Sequence, residues 1–209
     1  MNKHKNLMVI GAGGHGRVVA DVAARSGKFQ QIVFLDDAQP NQELPYPYLG
    51  KCDMAENYLD QYEMVVAIGN GEVRQKIMRV LADKGACFAT IVAPDAIVAS
   101  DVQIGAGTVV FSGVVINTGA SIGQGVIVNT ASSIDHDCMV GDFCHIAVGA
   151  RLCGTVRLAP QVWVGAGAVV INNLSVDTSC VIGAGAVVVK NIEQQGVYIG
   201  VPAKNKADL

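Results

Sequence analysis

The chain has 209 residues, of which 51% are hydrophobic and 16% are charged, and its formal net charge at pH 7 is −3. So many apolar side chains exclude a disordered chain, because they are enough to build a packed core. The negative charge and the scattered basic residues give no reason to expect binding to nucleic acid or to an anionic membrane surface. No apolar run reaches the length of a membrane span. With no recognisable export signal and no C-x-x-C pair among the six cysteines, we expect a cytoplasmic protein with reduced thiols.

The first 95 residues alternate between strand-like and helix-like segments. Such alternation is typical of a parallel sheet with crossover helices. Residues 1–95 are therefore predicted to form a small Rossmann-like α/β domain. The predicted strands are residues 7–11, 32–35, 64–69 and 87–92, and the predicted helices are residues 17–26 and 72–84.

A glycine-rich loop joins the first predicted strand to the first predicted helix. Residues 11–16 read GAGGHG and fit the pattern G-x-G-x-x-G, and His15 lies within it. Glycines allow the backbone to approach a phosphate, and the helix N-terminus supplies unpaired N–H groups with a partial positive charge. Asp36 and Asp37 end the second strand, where such a domain meets a ribose or a base. NAD and a nucleotide-linked sugar both satisfy this pattern. We favour the nucleotide-sugar, because no substrate domain for hydride transfer follows.

From about residue 96 the chain follows a period of six. Every sixth residue from 98 to 188 is aliphatic, and the residue two places before each of these is small or apolar. A period of six is the signature of a hexapeptide β-helix, in which three hexapeptides make one triangular coil. Residues 96–209 are therefore predicted to form a left-handed parallel β-helix of about five coils. Cys138, Cys144 and Cys180 occupy the small positions, so we expect them in the core and not as nucleophiles.

The repeat contains two histidines that do not occupy inward positions, His136 and His145. His136 is flanked by Asp135 and Asp137, and a carboxylate on one imidazole nitrogen leaves the other nitrogen free to act as a base. The two histidines are half a coil apart, so we expect them to border one cleft. A catalytic zinc site needs three converging imidazoles. The other two histidines precede the repeat, so no metal site is predicted.

Almost the whole chain resembles the PglD type of sugar N-acetyltransferase, a family that makes diacetylated bacillosamine from a UDP-linked 4-amino-4,6-dideoxy sugar. Next to the catalytic histidine the family usually has glutamates, whereas this chain has aspartates. The motifs that carry the resemblance are GAGGHG at 11–16, FLDD at 34–37, AIGN at 67–70, NT at 129–130, IDHD at 134–137, His145 and GVYIGVPAK at 196–204.

The resemblance implies a role for each matching residue. His136 would be the general base, Asp137 would orient it, and Asn129 would lie close by in the catalytic pocket. His145 would contact acetyl-CoA, and the backbone at Ala166 and Ala184 would line the pantetheine groove. The acetyl-CoA site would lie between neighbouring β-helices of a homotrimer. The nucleotide-sugar pocket would comprise Gly11, Gly13, Gly14, His15, Asp36, Asp37, Gly69 and Asn70.

These observations predict an acetyl-CoA-dependent N-acetyltransferase of bacterial glycan biosynthesis that acts by direct transfer on a nucleotide-linked amino sugar. Its tetrahedral oxyanion needs a hydrogen-bond donor, for which we expect a backbone N–H near Gly154. One alternative is a sialic acid O-acetyltransferase with the same two-domain layout, because amine and hydroxyl acceptors can use the same base. A second alternative is a β-helix that serves only as a trimerising scaffold, which would leave His136 and its acids unexplained.

Overall fold

The computed structural model describes residues 5–208. It divides into two compact units, the first ending at Pro94 and the second beginning at Asp95. The first is an α/β unit and the second is a left-handed parallel β-helix, so the predicted fold class is confirmed. No helix in the described part of the chain is long and apolar enough to cross a membrane.

The first unit contains β1 Lys5–Ile10, α1 Gly14–Arg25, β2 Phe29–Leu35, β3 Tyr48–Gly50, β4 Tyr62–Val66 and α2 Gly71–Ala82. Its strands form a parallel sheet in the order β3-β2-β1-β4. The inner strand β1 is buried on both sides, as parallel strands covered by helices usually are. Its residues from Leu7 to Ile10 are completely inaccessible to solvent. Helix α1 follows β1 through the glycine loop, and helix α2 follows β4.

Two details of this unit differ from the prediction. The sequence did not predict the edge strand β3 or the 3₁₀ helix Cys52–Tyr58. The strand was missed because three residues without alternating polarity give no strand signal. The continuous strand predicted at 87–92 is wrong. The chain there pairs with β4 only through two backbone hydrogen bonds with Met64 and then forms the two-residue strand Ile91–Val92. Its apolar residues serve for packing, since Ala89 and Ile91 are buried.

The second unit has three faces of stacked short strands. Up to Val188, each strand residue pairs with the one 18 positions later, as Ser121 pairs with Met139; the next pair, Val181 with Val197, is 16 positions apart. The first face contains Ile97–Val98, Val115–Ile116, Ser133–Ile134, Arg151–Leu152, Val169–Val170 and Val187–Val188. The second contains Gln103–Ile104, Ser121–Ile122, Met139–Val140, Arg157–Leu158 and Ser175–Val176. The third contains Val109–Val110, Ile127–Val128, His145–Ile146, Trp163–Val164, Val181–Ile182, Val197–Ile199 and the antiparallel Lys204–Asn205, followed by a 3₁₀ helix at Lys206–Asp208.

The period of six places the core correctly. Every predicted inward residue from Val110 to Val188 is buried, whereas Val98 and Ile104 in the first coil stay partly exposed. The prediction for Cys138, Cys144 and Cys180 is also confirmed, because all three are completely buried.

Each turn of the β-helix contains one residue in the left-handed region of φ, at six-residue intervals from Gly107 to Gly185. Seven of these positions hold residues other than glycine, with φ between 54° and 64°. The turn geometry therefore tolerates a side chain, although left-handed backbone is usually left to glycine. One of these seven residues is Asp137, at a φ of 58°.

Candidate active site

His136 and Asp137 lie in the turn between the first and second faces. The Nδ1 atom of His136 is 2.8 Å from Oδ2 of Asp137. An ionised carboxylate only accepts hydrogen bonds, so Nδ1 carries the proton and Nε2 of the neutral ring is the basic nitrogen. More than half of each side chain is exposed, 53% for His136 and 63% for Asp137. A substrate can therefore reach the ring.

Asp135, on the other side of the histidine, holds the backbone of the turn. Its Oδ1 accepts a hydrogen bond from the His136 N–H and another from Nδ2 of Asn117, each at 2.8 Å. Both hydrogen bonds hold the pKa of Asp135 below its usual value, and the one from Asn117 contributes most. Asp135 therefore remains ionised at neutral pH and fixes the backbone that carries the imidazole.

Gly154 occupies the position one coil after His136. A Cβ atom at residue 154 would lie 2.7 Å from Cε1 of His136 and closer still to Nε2. The coils are joined at this point, because the Thr155 N–H donates to the His136 carbonyl at 2.9 Å. Any side chain at position 154 would displace the ring, so this glycine is required by the histidine and not by its own backbone angles.

The acids around His136 change its proton affinity. The hydrogen bond that Nδ1 of His136 donates to Asp137 raises the pKa of His136 above its ordinary value, and the charges of Asp135 and Asp137 add to this effect. The cause is stabilisation of the imidazolium form. The neutral form that can act as a base therefore becomes dominant at a higher pH than in a free histidine.

A second polar group lies on the third face. Nδ2 of Asn129 is 3.3 Å from Nε2 of His145, while Oδ1 of Asn129 accepts from the Thr130 N–H at 2.8 Å. The indole of Trp163 stacks on the His145 ring, with centroids 5.3 Å apart and an interplanar angle of 9°. The asparagine and the tryptophan therefore hold the imidazole of His145 in one orientation.

Asn129 and His136 lie at different corners of the same triangular coil. His136 is in the turn between the first and second faces, whereas Asn129 is in the turn between the third and first faces. A whole face, on the order of 15 Å at about 3.3 Å per residue, separates these corners. The expectation that His136 and His145 border one cleft therefore requires a second copy of the chain. Ala166 and Ala184 share the Asn129 corner, one coil apart, and both are exposed.

The glycine loop of the first unit is tied to the second strand. The Ala12 N–H donates to Oδ2 of Asp36 at 2.6 Å. Gly11 has a φ of 107°, and a Cβ on it would lie 2.9 Å from the carbonyl oxygen of Ala67. Gly13 and Gly14, in contrast, are exposed, and a Cβ on either would meet no atom within 4 Å. Gly13 and Asp36 line a cavity of about 230 Å³ with Arg17.

The other residues predicted for the nucleotide-sugar pocket have structural partners. Oδ1 of Asp37 accepts from the Cys52 N–H at 3.0 Å. Asn70 caps α2, since its Oδ1 accepts from the Val73 N–H at 3.0 Å. The carbonyl of Gly69 accepts from the buried Arg74 side chain at 3.1 Å.

His15 lies in the first turn of α1. Burial, and next the charge of Arg74, lower the pKa of His15 to about 4. The ring is therefore neutral at pH 7. Within residues 5–208, no group of three or more His, Cys, Asp or Glu side chains could hold a metal ion.

Comparisons with known proteins agree with this layout. A family model described as the PglD N-terminal domain matches residues 6–81. The acetyltransferase domain of PglB from Neisseria gonorrhoeae, solved with acetyl coenzyme A, is 39% identical with a TM-score of 0.92, and the match covers 97% of this chain and 100% of that chain. The chain belongs to the PglD family of sugar N-acetyltransferases.

Two further relatives of this PglD-family chain carry a named substrate. PerB from Caulobacter crescentus, solved with CoA and GDP-perosamine, is 34% identical with a TM-score of 0.89, covering 96% of this chain and 97% of that chain. A GDP-perosamine N-acetyltransferase from Escherichia coli is 29% identical over 169 residues, which is 78% of this chain and 76% of the relative. Membership in a family of acetyltransferases sets aside the alternative of a non-catalytic scaffold.

Two side-chain contacts of this PglD-family site, one aromatic stack and one hydrogen bond, were not predicted from the sequence. Trp163 was overlooked as a neighbour of His145, and Asn117 was overlooked as a partner of Asp135. Each lies 18 residues from the residue it contacts. One coil of the repeat is 18 residues long, so the period itself was the signal that could have identified both.

Proposed function

We propose that this chain transfers the acetyl group of acetyl-CoA directly to the amino group of a UDP-linked 4-amino-4,6-dideoxy sugar, with Nε2 of His136 as the general base. The observation that carries the proposal is the 2.8 Å contact between Nδ1 of His136 and Asp137, which leaves Nε2 as the basic nitrogen beside Gly154. A positioned imidazole is suited to proton transfer near neutral pH, because its ordinary pKa lies close to that range.

The chemistry follows from that geometry. Nε2 removes a proton from the sugar nitrogen as the nitrogen attacks the thioester carbonyl. The C–N bond forms, the C–S bond breaks, and the proton passes to the departing coenzyme A sulfur. The oxyanion formed in between needs a hydrogen-bond donor. The Gly154 N–H is our candidate, because it lies beside the ring and makes no hydrogen bond to any described residue.

The acetyl-CoA site in this proposal is formed by the Asn129 corner of one subunit and the His136 corner of its neighbour in a homotrimer. His145 contacts acetyl-CoA, and the exposed backbone at Ala166 and Ala184 lines the groove for its pantetheine arm. Two observations support a composite site. The two polar groups of one chain are a whole face apart, and residues 96–209 carry only 5 Lys or Arg and 7 Asp or Glu, which suits packing around a threefold axis.

The nucleotide-sugar lies against the glycine loop in this proposal. Gly11, Gly13 and Gly14 bring the backbone close to the diphosphate, and the start of α1 adds a favourable dipole. His15, Asp36, Asp37, Gly69 and Asn70 complete the pocket as implied by the family resemblance. The position of Asp36 supports this pocket, because its carboxylate accepts from the Ala12 N–H and lines the same cavity as Gly13.

A GDP-linked amino sugar is the second candidate substrate, because two relatives act on or bind GDP-perosamine. The experiment is a panel of UDP-, GDP- and dTDP-linked amino sugars assayed with acetyl-CoA by thiol release. We expect the highest kcat/KM with a UDP-linked sugar, and a clear preference for the GDP-linked sugar would replace that choice. Acetylation of free sialic acid in place of every nucleotide-sugar would overturn the proposal.

A cytoplasmic location completes the proposal. All six cysteines are free thiols in the structure, as is usual in a reducing compartment. In this location the chain would act in bacterial glycan biosynthesis, before the sugar is transferred from its nucleotide.

A further inference from the structure

Gly119 lies one coil before Asp137, at the same corner of the β-helix. Its φ is 75°, and the residues at this corner in the next three coils, Asp137, Thr155 and Asn173, are also left-handed, with φ of 58°, 64° and 64°. The backbone conformation of this corner therefore accepts side chains. Something else must account for the glycine at position 119.

The carboxylate of Asp137 occupies the space that a side chain at 119 would need. A Cβ on Gly119 would lie 3.3 Å from Cγ of Asp137, 3.4 Å from its backbone N, and closer still to Oδ1. The other carboxylate oxygen, Oδ2, is the one that contacts Nδ1 of His136. The carboxylate is therefore confined between Gly119 on one side and the imidazole on the other.

The backbone at Gly119 is held in place by Asp101, which lies one coil earlier. Its N–H donates to Oδ2 of Asp101 at 2.8 Å, and the Thr118 hydroxyl donates to the same oxygen at 2.9 Å. Both hydrogen bonds keep the pKa of Asp101 below its usual value, and the one from Gly119 contributes most. An added methyl group at position 119 would therefore be accommodated by movement of the Asp137 carboxylate, since the backbone is anchored.

We propose that Gly119 is a positioning residue of the active site, which acts through Asp137 by leaving the space that keeps its carboxylate on Nδ1 of His136. The inference rests on the proposed function for its effect on catalysis, but its structural part concerns only the His136–Asp137 contact. Gly113 is a matched control. It has a φ of 69° and is exposed, but a Cβ on it would meet its nearest neighbour, Ala131, at an ordinary 3.7 Å.

The test compares Gly119→Ala with Gly113→Ala in the full chain, first by NMR titration of the His136 ring. The charged groups that face this ring are Asp135 and Asp137 on its own turn. Asp101 lies farther along the same corner, where it accepts from the Gly119 N–H. The coil after His136 presents Gly154 and Thr155. We expect Gly119→Ala and Asp137→Asn both to lower the pKa of His136, and we expect Gly113→Ala to leave it unchanged. An unchanged His136 titration in folded Gly119→Ala would overturn the inference.

Kinetics then test the catalytic part. Gly119→Ala should lower kcat about tenfold or more and leave the KM for acetyl-CoA nearly unchanged, as expected for loss of a transition-state contribution. The double variant Gly119→Ala/Asp137→Asn should lose no more than Asp137→Asn alone, because both changes remove the same contact. Additive losses would contradict the inference. If Gly119→Ala does not fold, Asp137→Ala should restore folding by removing the collision, and failure to do so would also contradict it.

The proposed function can fail separately. A shifted His136 titration together with unchanged turnover would keep the contact between Gly119 and Asp137 but reject His136 as the base.

Discussion

The carboxylate of Asp137 and the imidazole of the residue just before it, His136, are joined at 2.8 Å because Asp137 adopts a left-handed backbone. In an extended strand, neighbouring side chains point to opposite faces. A β-helix turn can instead place an acid on the histidine that precedes it. The same turn leaves Nε2 beside Gly154 in a side chain that is 53% exposed, so one short segment orients the ring and presents its basic nitrogen.

Asp137→Asn tests how much this contact contributes. The carboxylate raises the pKa of His136 by stabilising the imidazolium, and only the neutral ring can act as a base. Removing the negative charge should therefore lower that pKa and move the acidic limb of the kcat/KM profile to lower pH. The maximal rate should fall, by less than in His136→Ala, because the ring is less well oriented. An acidic limb that stays in place, measured across pH 5 to about 9, would show that another group controls it.

Gly13→Asp and Gly13→Asn form a matched pair for the glycine loop. Asp and Asn have nearly the same shape and are both good N-cap residues, and a Cβ at this position would meet no atom within 4 Å. Both variants should fold and raise the KM for the nucleotide-sugar. The increase should be larger for Asp, since its charge repels a diphosphate. The KM for acetyl-CoA should not change, and an effect on that constant instead would reverse the assignment of ligands to the two units.

Trp163 is the only tryptophan of the chain, and its stack on His145 makes its fluorescence a direct report on the proposed acetyl-CoA site. Acetyl-CoA should change the emission in a saturable way, with a midpoint near its KM. His145→Ala should weaken this binding with a smaller effect on kcat. Saturable binding of acetyl-CoA that leaves the emission unchanged would place the coenzyme away from His145.

The composite site predicts a particular result when chains that are defective in different parts of the site are mixed. Light scattering should give three times the 21.8 kDa chain mass. At an acetyl-CoA concentration well below the KM of the His145→Ala chain, co-expressed His136→Ala and His145→Ala chains should be more active in mixed trimers than either variant alone, because some interfaces combine an intact His136 with an intact His145. With random mixing, roughly a quarter of the sites would be complete. A stable active monomer, or no recovery in proven mixed trimers, would contradict the arrangement.

Much of the second unit could be predicted from the period of six alone. That period identified the buried aliphatic residues and put His136 and His145 outside the core. It also contained the 18-residue neighbour relation that pairs Trp163 with His145.

The turn geometry could not be predicted in the same way. Nothing in the local sequence says that Asp137, and not Asp135, reaches the ring, because that choice depends on a left-handed φ set by the stacked coils. In the first unit, the strand Tyr48–Gly50 exists only because β2 offers an edge to pair with. Its three residues carry no signal of their own.

The identity of the base is the central claim, and steady-state kinetics of purified His136→Ala test it most directly. The side chain is half exposed and fills no part of the core, so the variant should fold and assemble like the parent chain. We predict a loss of about 10²- to 10⁴-fold in kcat, as is typical for removal of a general base, with the KM values of both substrates nearly unchanged. Near-normal turnover at neutral pH by the folded variant would contradict the account, because the base would then lie elsewhere.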